Sequence, residues 1–370
     1  IWYLGNEMDG PWQIASYERD PKAYGILAHE ASKVMKWIDP TIETVACVSS
    51  SPFLNHYPDW DQTVLQECYE TVDYISLHHY HSAPPGNLPA LMAGSAAFED
   101  FINTEIALCD LIRTRQRVKK TMMLSLDEYS CSFRPVQGAH LGLGGRQPAM
   151  GFLGMDPNRK YVRHDPDDWS TRRAFPRQGE MPRTLANASV MLVMLRHADR
   201  IRIGCATSGL AQLCATDREH TWKSAAYYPM TQLIRHARGV SLQPVVACET
   251  FNVAGYAIDD MNQYGDFEGV PCIQAAAALN EEAGEMTVFV INADVADCHE
   301  LSLDVTAFDG WRFLEHSALY TEDPDACNDV DHPDAIVPRK IGATRCEAGQ
   351  LTAVLQPLSW NMFRFERTAE

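Results

Sequence analysis

The sequence predicts an α/β fold of parallel strand–helix units, followed by an all-β sandwich. Three observations carry this prediction. Short β-rich runs alternate with amphipathic helical stretches through the first part of the chain. Near Arg238-Gly239 helical periodicity stops, and short β-rich runs separated by turn residues take over. Across 370 residues, 46% are hydrophobic, enough for more than one sizeable core. The expected division is 1–238 for the strand–helix part and 239–370 for the sandwich.

Taken in order, Ile1-Trp2-Tyr3-Leu4 is too short for a helix and suits the end of a strand. Pro21 to Trp37 reads as a helix, with Ala23, Ile26, Leu27, Ala31, Val34 and Met35 at helical spacing and Pro40 as its stop. Glu43 to Val48 is the next strand. Ser49-Ser50-Ser51-Pro52 closes it as a loop. Asp59 to Tyr69 is a helix, Val72 to Tyr80 a strand, Ser95 to Arg117 a long helix, and Lys120 to Asp127 a strand. Such alternation implies right-handed parallel βαβ units. Residues 130 to 180 are rich in Gly, Pro, Arg and Asp without periodicity, and read as a functional or surface loop. Gly142-Leu143-Gly144-Gly145-Arg146, within it, lacks the strand and helix that a phosphate-binding loop needs. A helix from Arg183 to Arg196, a strand at Arg200 to Gly204 and a helix from Trp222 to Arg238 follow. The β-rich runs after that are Val245-Val246-Ala247, Cys272 to Ala275, Met286 to Ile291, Leu301 to Val305 and Asn361 to Phe365.

Charge and cysteine usage narrow the function. A net charge of −18 argues against nucleic acid or an anionic membrane surface as partner. No apolar run approaches the ~20 residues needed to span a bilayer. Eleven cysteines without a Cys-x-x-Cys pair suit reduced, buried thiols and a cytoplasmic location. The chain opens inside a strand without an initiator methionine, so an N-terminal portion is expected to be missing.

In parallel α/β barrels the carboxyl ends of the strands face one side, where catalytic groups sit. The polar residues at those ends are Asn6 and Glu7, the Ser49 to Ser51 run, His78 to His81, and Asp127 with Glu128. A bare Asn-Glu pair is most often an ordinary strand end. Two carboxylates on different strand ends facing one pocket are the constellation of a glycosidase, one protonated and one ionised. Strand alternation sends Asp127 away from Glu128, toward a structural hydrogen bond. Alternation also keeps His78, His79 and His81 from converging on a metal. Asp165, Asp167 and Asp168 lack calcium-loop spacing and read as a solvated turn.

Several words resemble one family closely. Gly5-Asn6-Glu7-Met8-Asp9-Gly10-Pro11-Trp12-Gln13 is similar to the acid/base motif of family 51 glycoside hydrolases, the α-L-arabinofuranosidases of clan A. Tyr74-Ile75-Ser76-Leu77-His78-His79-Tyr80 and Leu124-Ser125-Leu126-Asp127-Glu128-Tyr129 resemble two of its strands, and His197-Ala198-Asp199-Arg200 and Leu358-Ser359-Trp360-Asn361 match in order. The resemblance covers nearly the whole chain. It implies the C-terminal part of a (β/α)8 TIM barrel, about strands four to eight, and then a β-sandwich. It implies Glu7 as general acid and base, Glu128 as nucleophile, Asn6 on the sugar 2-hydroxyl and Tyr80 holding Glu128. His78 should border the pocket, and Trp12 is core packing or an aromatic floor for a sugar. Gln212 matches a local word of the family, whereas direct register puts Ser208 there. After the nucleophile, Tyr129-Ser130-Cys131-Ser132 departs from the family's Trp-Asn-Val-Trp, which removes a sugar-stacking wall.

The implied activity is a retaining, exo-acting α-L-arabinofuranosidase acting on arabinoxylan or arabinan oligosaccharides, without cofactor or metal, in a homo-oligomer. Rivals are another retaining clan A glycosidase and an inactive truncated fragment.

Overall fold

A computed structural model describes residues 1–136, 180–207, 213–216, 219–259, 262–323 and 325–368. The loop expected at 130–180 falls largely outside the described residues, and so do Gly142 to Arg146, the aspartates 165, 167 and 168, Ser208 and Gln212.

The first half is built from β1 (Trp2–Tyr3), α1 (Pro21–Ile38), β2 (Thr44–Cys47), α2 (Asp59–Cys68), β3 (Tyr74–Ala83), α3 (Leu88–Met92), α4 (Gly94–Gln116), β4 (Met123–Phe133), α5 (Glu180–Arg196) and β5 (Ile201–Ala206). The five strands form one parallel sheet in the order β1-β2-β3-β4-β5. It is a curled part of a barrel, as the alternation predicts. Local chemistry sets the helix ends. Asp20 caps α1 by accepting from Ala23 N at 3.0 Å, Pro21 occupies the first turn, and Pro40 follows closely on its end. Gly25 lets α1 approach α2, since a Cβ there would meet Glu67 Cβ at 2.8 Å and Val64 O at 3.0 Å.

The chain then forms β6 (Cys214–Thr216), β7 (Thr221–Lys223), α6 (Tyr227–His236), β8 (Val240–Leu242), β9 (Thr250–Val253), β10 (Tyr256–Ala257), β11 (Gln263–Tyr264), β12 (Phe267–Pro271), β13 (Ile273–Asn280), β14 (Glu285–Asn292), β15 (His299–Asp304), β16 (Trp311–Leu319), β17 (Arg339–Lys340), β18 (Arg345–Glu347), β19 (Gln350–Leu355) and β20 (Ser359–Arg367). A six-stranded antiparallel sheet runs β17-β16-β20-β14-β13-β8, and a three-stranded one runs β15-β19-β18. Period-2 alternation explains why β14 is buried on both faces. Met286, Val288 and Val290 face the core between the two sheets, with Phe363, Phe365, Leu351 and Leu355. Phe289 and Ile291, with Trp360, join the core that α5 shares with the parallel sheet.

Two expectations are corrected. Trp222 lies not in a helix but in β7, which pairs with β6, and α6 begins only at Tyr227. Val245-Val246-Ala247 forms no strand, and Val245 is fully exposed. An apolar triplet without a pairing neighbour carries β propensity but no ladder to satisfy.

The excursion through β9 to β12 buttresses β3 from outside the parallel sheet. Tyr264 Oη accepts from Ser82 N at 3.0 Å, and its ring lies 4.9 Å from His81. On the other side, β1 is an edge strand whose Trp2 and Tyr3 are exposed. No described helix is long and apolar enough to cross a membrane.

Candidate active site

The site lies at the carboxyl ends of β1, β3 and β4. Glu7 follows β1 in a backbone conformation that side chains rarely adopt, with φ of 47°. Such a state persists only where its surroundings hold it. Gly5, at φ 148°, permits the bend, because a Cβ there would come within 2.6 Å of Met8 Cγ. Gly10 N donates to Glu7 O at 2.9 Å, and Tyr17 N to Met8 O at 2.7 Å. Fully buried Asp9 anchors the loop to the end of β2. One of its oxygens accepts from Ser50 N at 2.9 Å and Ser50 Oγ at 3.0 Å, and lies 3.2 Å from His56 Nε2.

Around Glu7 the donors are dense. The Trp12 indole N–H bonds Glu7 Oε2, Gln13 Nε2 lies 3.3 Å from the same oxygen, and His78 Nδ1 lies 2.9 Å from Oε1. Burial raises the Glu7 carboxyl, but the donors His78, Trp12 and Gln13 outweigh it and hold the group below its ordinary value. Asn6 precedes Glu7 and is exposed.

Glu128 is held differently. Tyr80 Oη donates to Glu128 Oε2 at 2.5 Å and lies 2.8 Å from Thr207 Oγ1. Burial, and then the bond to Glu128, push the Tyr80 hydroxyl well up, so it remains a donor. A register shift places Glu128 here. Leu77 pairs with Leu126, but the next residue, His78, pairs with Glu128. Asp127 is therefore the extra residue of a β-bulge, and simple alternation fails at this point. The Asp127 carboxylate sits within 2.8 and 2.9 Å of Ser76 Oγ, the structural bond expected for it, yet also 3.6 Å from His78 Nε2. It thus stands beside the site rather than opposite it.

His78 is the hub, 2% exposed, between Glu7, Asp127 and Glu128. Burial alone would lower its imidazole. The carboxylates of Asp127 and Glu7 and the charge of Glu128 overcome burial and push it up to about 10. His79 and His81 point to the other face, where they reach Gly94 O at 3.0 Å and Ala90 O at 2.8 Å. Burial lowers them to about 3 and about 4, so both are neutral.

One donor atom each from Glu7, His78 and Glu128 lies within 4.8 Å of the others. With both ring protons in place, the His78 imidazole stands as a counter-ion between the two carboxylates. A second set with metal-ligand chemistry among the described residues is Cys272, Asp294 and His299. There the His299 Nε2 proton already bridges to Asp294 Oδ2 at 3.1 Å, and burial pushes the Cys272 thiol up to about 11.

Glu7, His78, Tyr80, Glu128 and Trp12 therefore converge. Gln212 lies outside the described residues. Sequence reasoning missed the contacts of Gln13 and Thr207. Gln13 was within reach, since it stands six residues after Glu7 beyond a Gly-Pro turn, whereas Thr207 carries no local signal.

A family model described as "Alpha-L-arabinofuranosidase C-terminal domain" matches residues 162–359. An intracellular exo-α-(1→5)-L-arabinofuranosidase from Bacillus subtilis is 33% identical over 370 residues, covering 99% of this chain and 66% of that protein. One from Halalkalibacterium halodurans is 34% identical, over 98% of this chain and 66% of its own length. The chain thus spans just under two thirds of these relatives. Among solved structures, the family 51 α-L-arabinofuranosidase AbfB of Bifidobacterium longum aligns with a TM-score of 0.77 at 24% identity, covering 99% of this chain and 67% of that one. The α-L-arabinofuranosidase of Thermotoga maritima aligns with a TM-score of 0.76 at 18% identity, covering 99% and 66%.

Proposed function

The chain belongs to the family 51 α-L-arabinofuranosidases of clan A, and from that premise we propose that it is a retaining, exo-acting α-L-arabinofuranosidase. The observation that carries the reading is the approach of Glu7 and Glu128 to within 4.8 Å. Retaining glycosidases keep their carboxyls about 5–5.5 Å apart, and inverting ones need a wider gap for water.

In this reading Glu7 protonates the leaving oxygen, and Glu128 attacks the anomeric carbon to form a glycosyl ester. Glu7 then removes a proton from the water that cleaves that ester. Tyr80 occupies Glu128 Oε2, which leaves Oε1 to attack. Asn6 hydrogen-bonds the sugar 2-hydroxyl. Trp12 orients Glu7 through its N–H and offers its ring as a floor, and Gln212 is kept as a pocket residue. Residues 1–238 carry the chemistry and 239–370 the sandwich. The named relatives point to terminal arabinofuranose of arabinan-type oligosaccharides as substrate and to a cytoplasmic setting. A homo-oligomer is kept as part of the proposal, tested by the native mass.

The exposed β1 edge favours a second reading, in which these 370 residues need a further pocket wall for full turnover. The test is hydrolysis of 4-nitrophenyl α-L-arabinofuranoside followed by NMR. The expected first product is the α-anomer. A β-anomer would contradict retention. Turnover that appears only when sequence completing the relatives' length is added would establish the second reading.

A further inference from the structure

The resting site holds a conflict. Glu7 sits among donors that favour its ionised form, yet the acid role proposed above needs a proton on it. The nearest ionisable donor is His78, whose Nδ1 lies 2.9 Å from Glu7 Oε1. We propose that Glu7 and His78 share one proton, stored on the imidazole and passed from Nδ1 to Oε1 for catalysis, and that Asp127 is the positioning residue that keeps it there. This inference rests on the reading of Glu7 as the acid.

The geometry supports each part. His78 is 2% exposed, so water cannot supply its charge balance. Among the described residues its Nε2 has no hydrogen-bond partner, and Asp127 Oδ2 at 3.6 Å is an ion-pair contact facing that N–H. Ser125 pairs with Ser76, so regular alternation puts Asp127 on the face of Ser76 and His78, and the bulge at Leu77/His78 brings Glu128 to that same face. Ser76 Oγ fixes that carboxylate. The ionisable groups that face His78 are Glu7 from the loop after β1, Tyr80 on its own strand, and Asp127 and Glu128 from β4. Tyr3 of β1 and Cys205 of β5 stand near Asp127, and burial raises both, so they stay neutral at neutral pH.

The proton balance closes over a cycle. The Nδ1–H bond breaks, a Glu7 O–H bond forms, and His78 becomes neutral. Glu7 then gives the proton to the leaving oxygen as Glu128 bonds the anomeric carbon. In the second step, water loses a proton to Glu7 while its oxygen displaces Glu128, and the proton returns to His78. The two tautomers bind the same number of protons, so the basic limb of kcat/KM reports loss of a proton from the pair as a whole. Removing the Asp127 charge makes that proton easier to lose and must move the limb to lower pH.

The experiment compares the wild-type protein with Asp127→Asn, labelled with ¹⁵N-histidine. In the wild type both His78 ring nitrogens should stay protonated through neutral pH. In Asp127→Asn they should lose a proton at least about one pH unit earlier. The basic limb on 4-nitrophenyl α-L-arabinofuranoside should shift by a similar amount, and Asp127→Glu should restore it. A neutral His78 at pH 7 in the wild type, or a limb unmoved in Asp127→Asn, would overturn the inference. If the wild type turns over no arabinofuranoside, the functional reading has failed, and the nitrogen spectra still decide whether Asp127 holds the proton. If Asp127→Asn does not fold, the wild-type spectra decide it, since a neutral His78 at pH 7 overturns the inference.

Discussion

The loop that carries Glu7 and the strand that carries Glu128 solve one problem in opposite ways. Glu7 sits on irregular backbone at φ 47°, held by backbone bonds, by Asp9 and by three side-chain donors. Glu128 sits in the register of a parallel strand and takes one short bond, from Tyr80. In the proposed mechanism, the group that must gain and lose a proton is surrounded by donors that adjust to its charge, and the group that must attack is aimed by its strand and kept partly free. On that reading, two identical side chains acquire different chemistry from their surroundings.

That contrast can be broken from either side. Glu128→Ala removes the bond-forming atom and should cut turnover about 10⁴-fold or more on every substrate; steady-state rates near the wild type would contradict the nucleophile role. Glu7→Ala should cost about 10²- to 10⁴-fold on alkyl arabinofuranosides, which need protonation, and little in the first step with a dinitrophenyl leaving group. Equal first-step losses on both would count against the acid. Tyr80→Phe removes one hydrogen bond to a charged group, with an expected loss of roughly 10- to 100-fold in kcat from about 1.5–3 kcal/mol; the same loss in KM alone would mean that Tyr80 binds sugar instead. Val245→Ser, in the exposed triplet, is the control, and its thermal unfolding should differ from the wild type by less than about 0.5 kcal/mol.

Much of this contrast is legible in the residues themselves. Apolar periodicity and Pro stops locate α1, α2 and α4 closely, because each buries one face against the sheet. The strand ends carry Glu7, His78, Tyr80 and Glu128, and strand direction alone brings those ends to one side. The rest depends on contacts between distant residues. The bulge that turns Glu128 onto the face of Asp127 and His78 comes from pairing between β3 and β4, and no local pattern announces one extra residue. The positive φ of Glu7 depends on Gly5, Asp9 and Tyr17 acting together. The strand at Thr221–Lys223 exists because Cys214–Thr216 pairs with it, which overrides the helical reading of Trp222. β16 escaped notice because Trp311–Leu319 mixes charged and apolar residues and owes its burial to β20.

The central claim is that Glu128 forms the covalent bond while Glu7 moves the proton. The most direct test uses Glu7→Ala with a dinitrophenyl arabinofuranoside, quenched rapidly and examined by peptide mass spectrometry. Without Glu7 the ester should form quickly and hydrolyse slowly. The account predicts an arabinosyl adduct on the peptide that contains Glu128, with a matching burst of dinitrophenol. A burst without an adduct, or an adduct on another side chain, would contradict it.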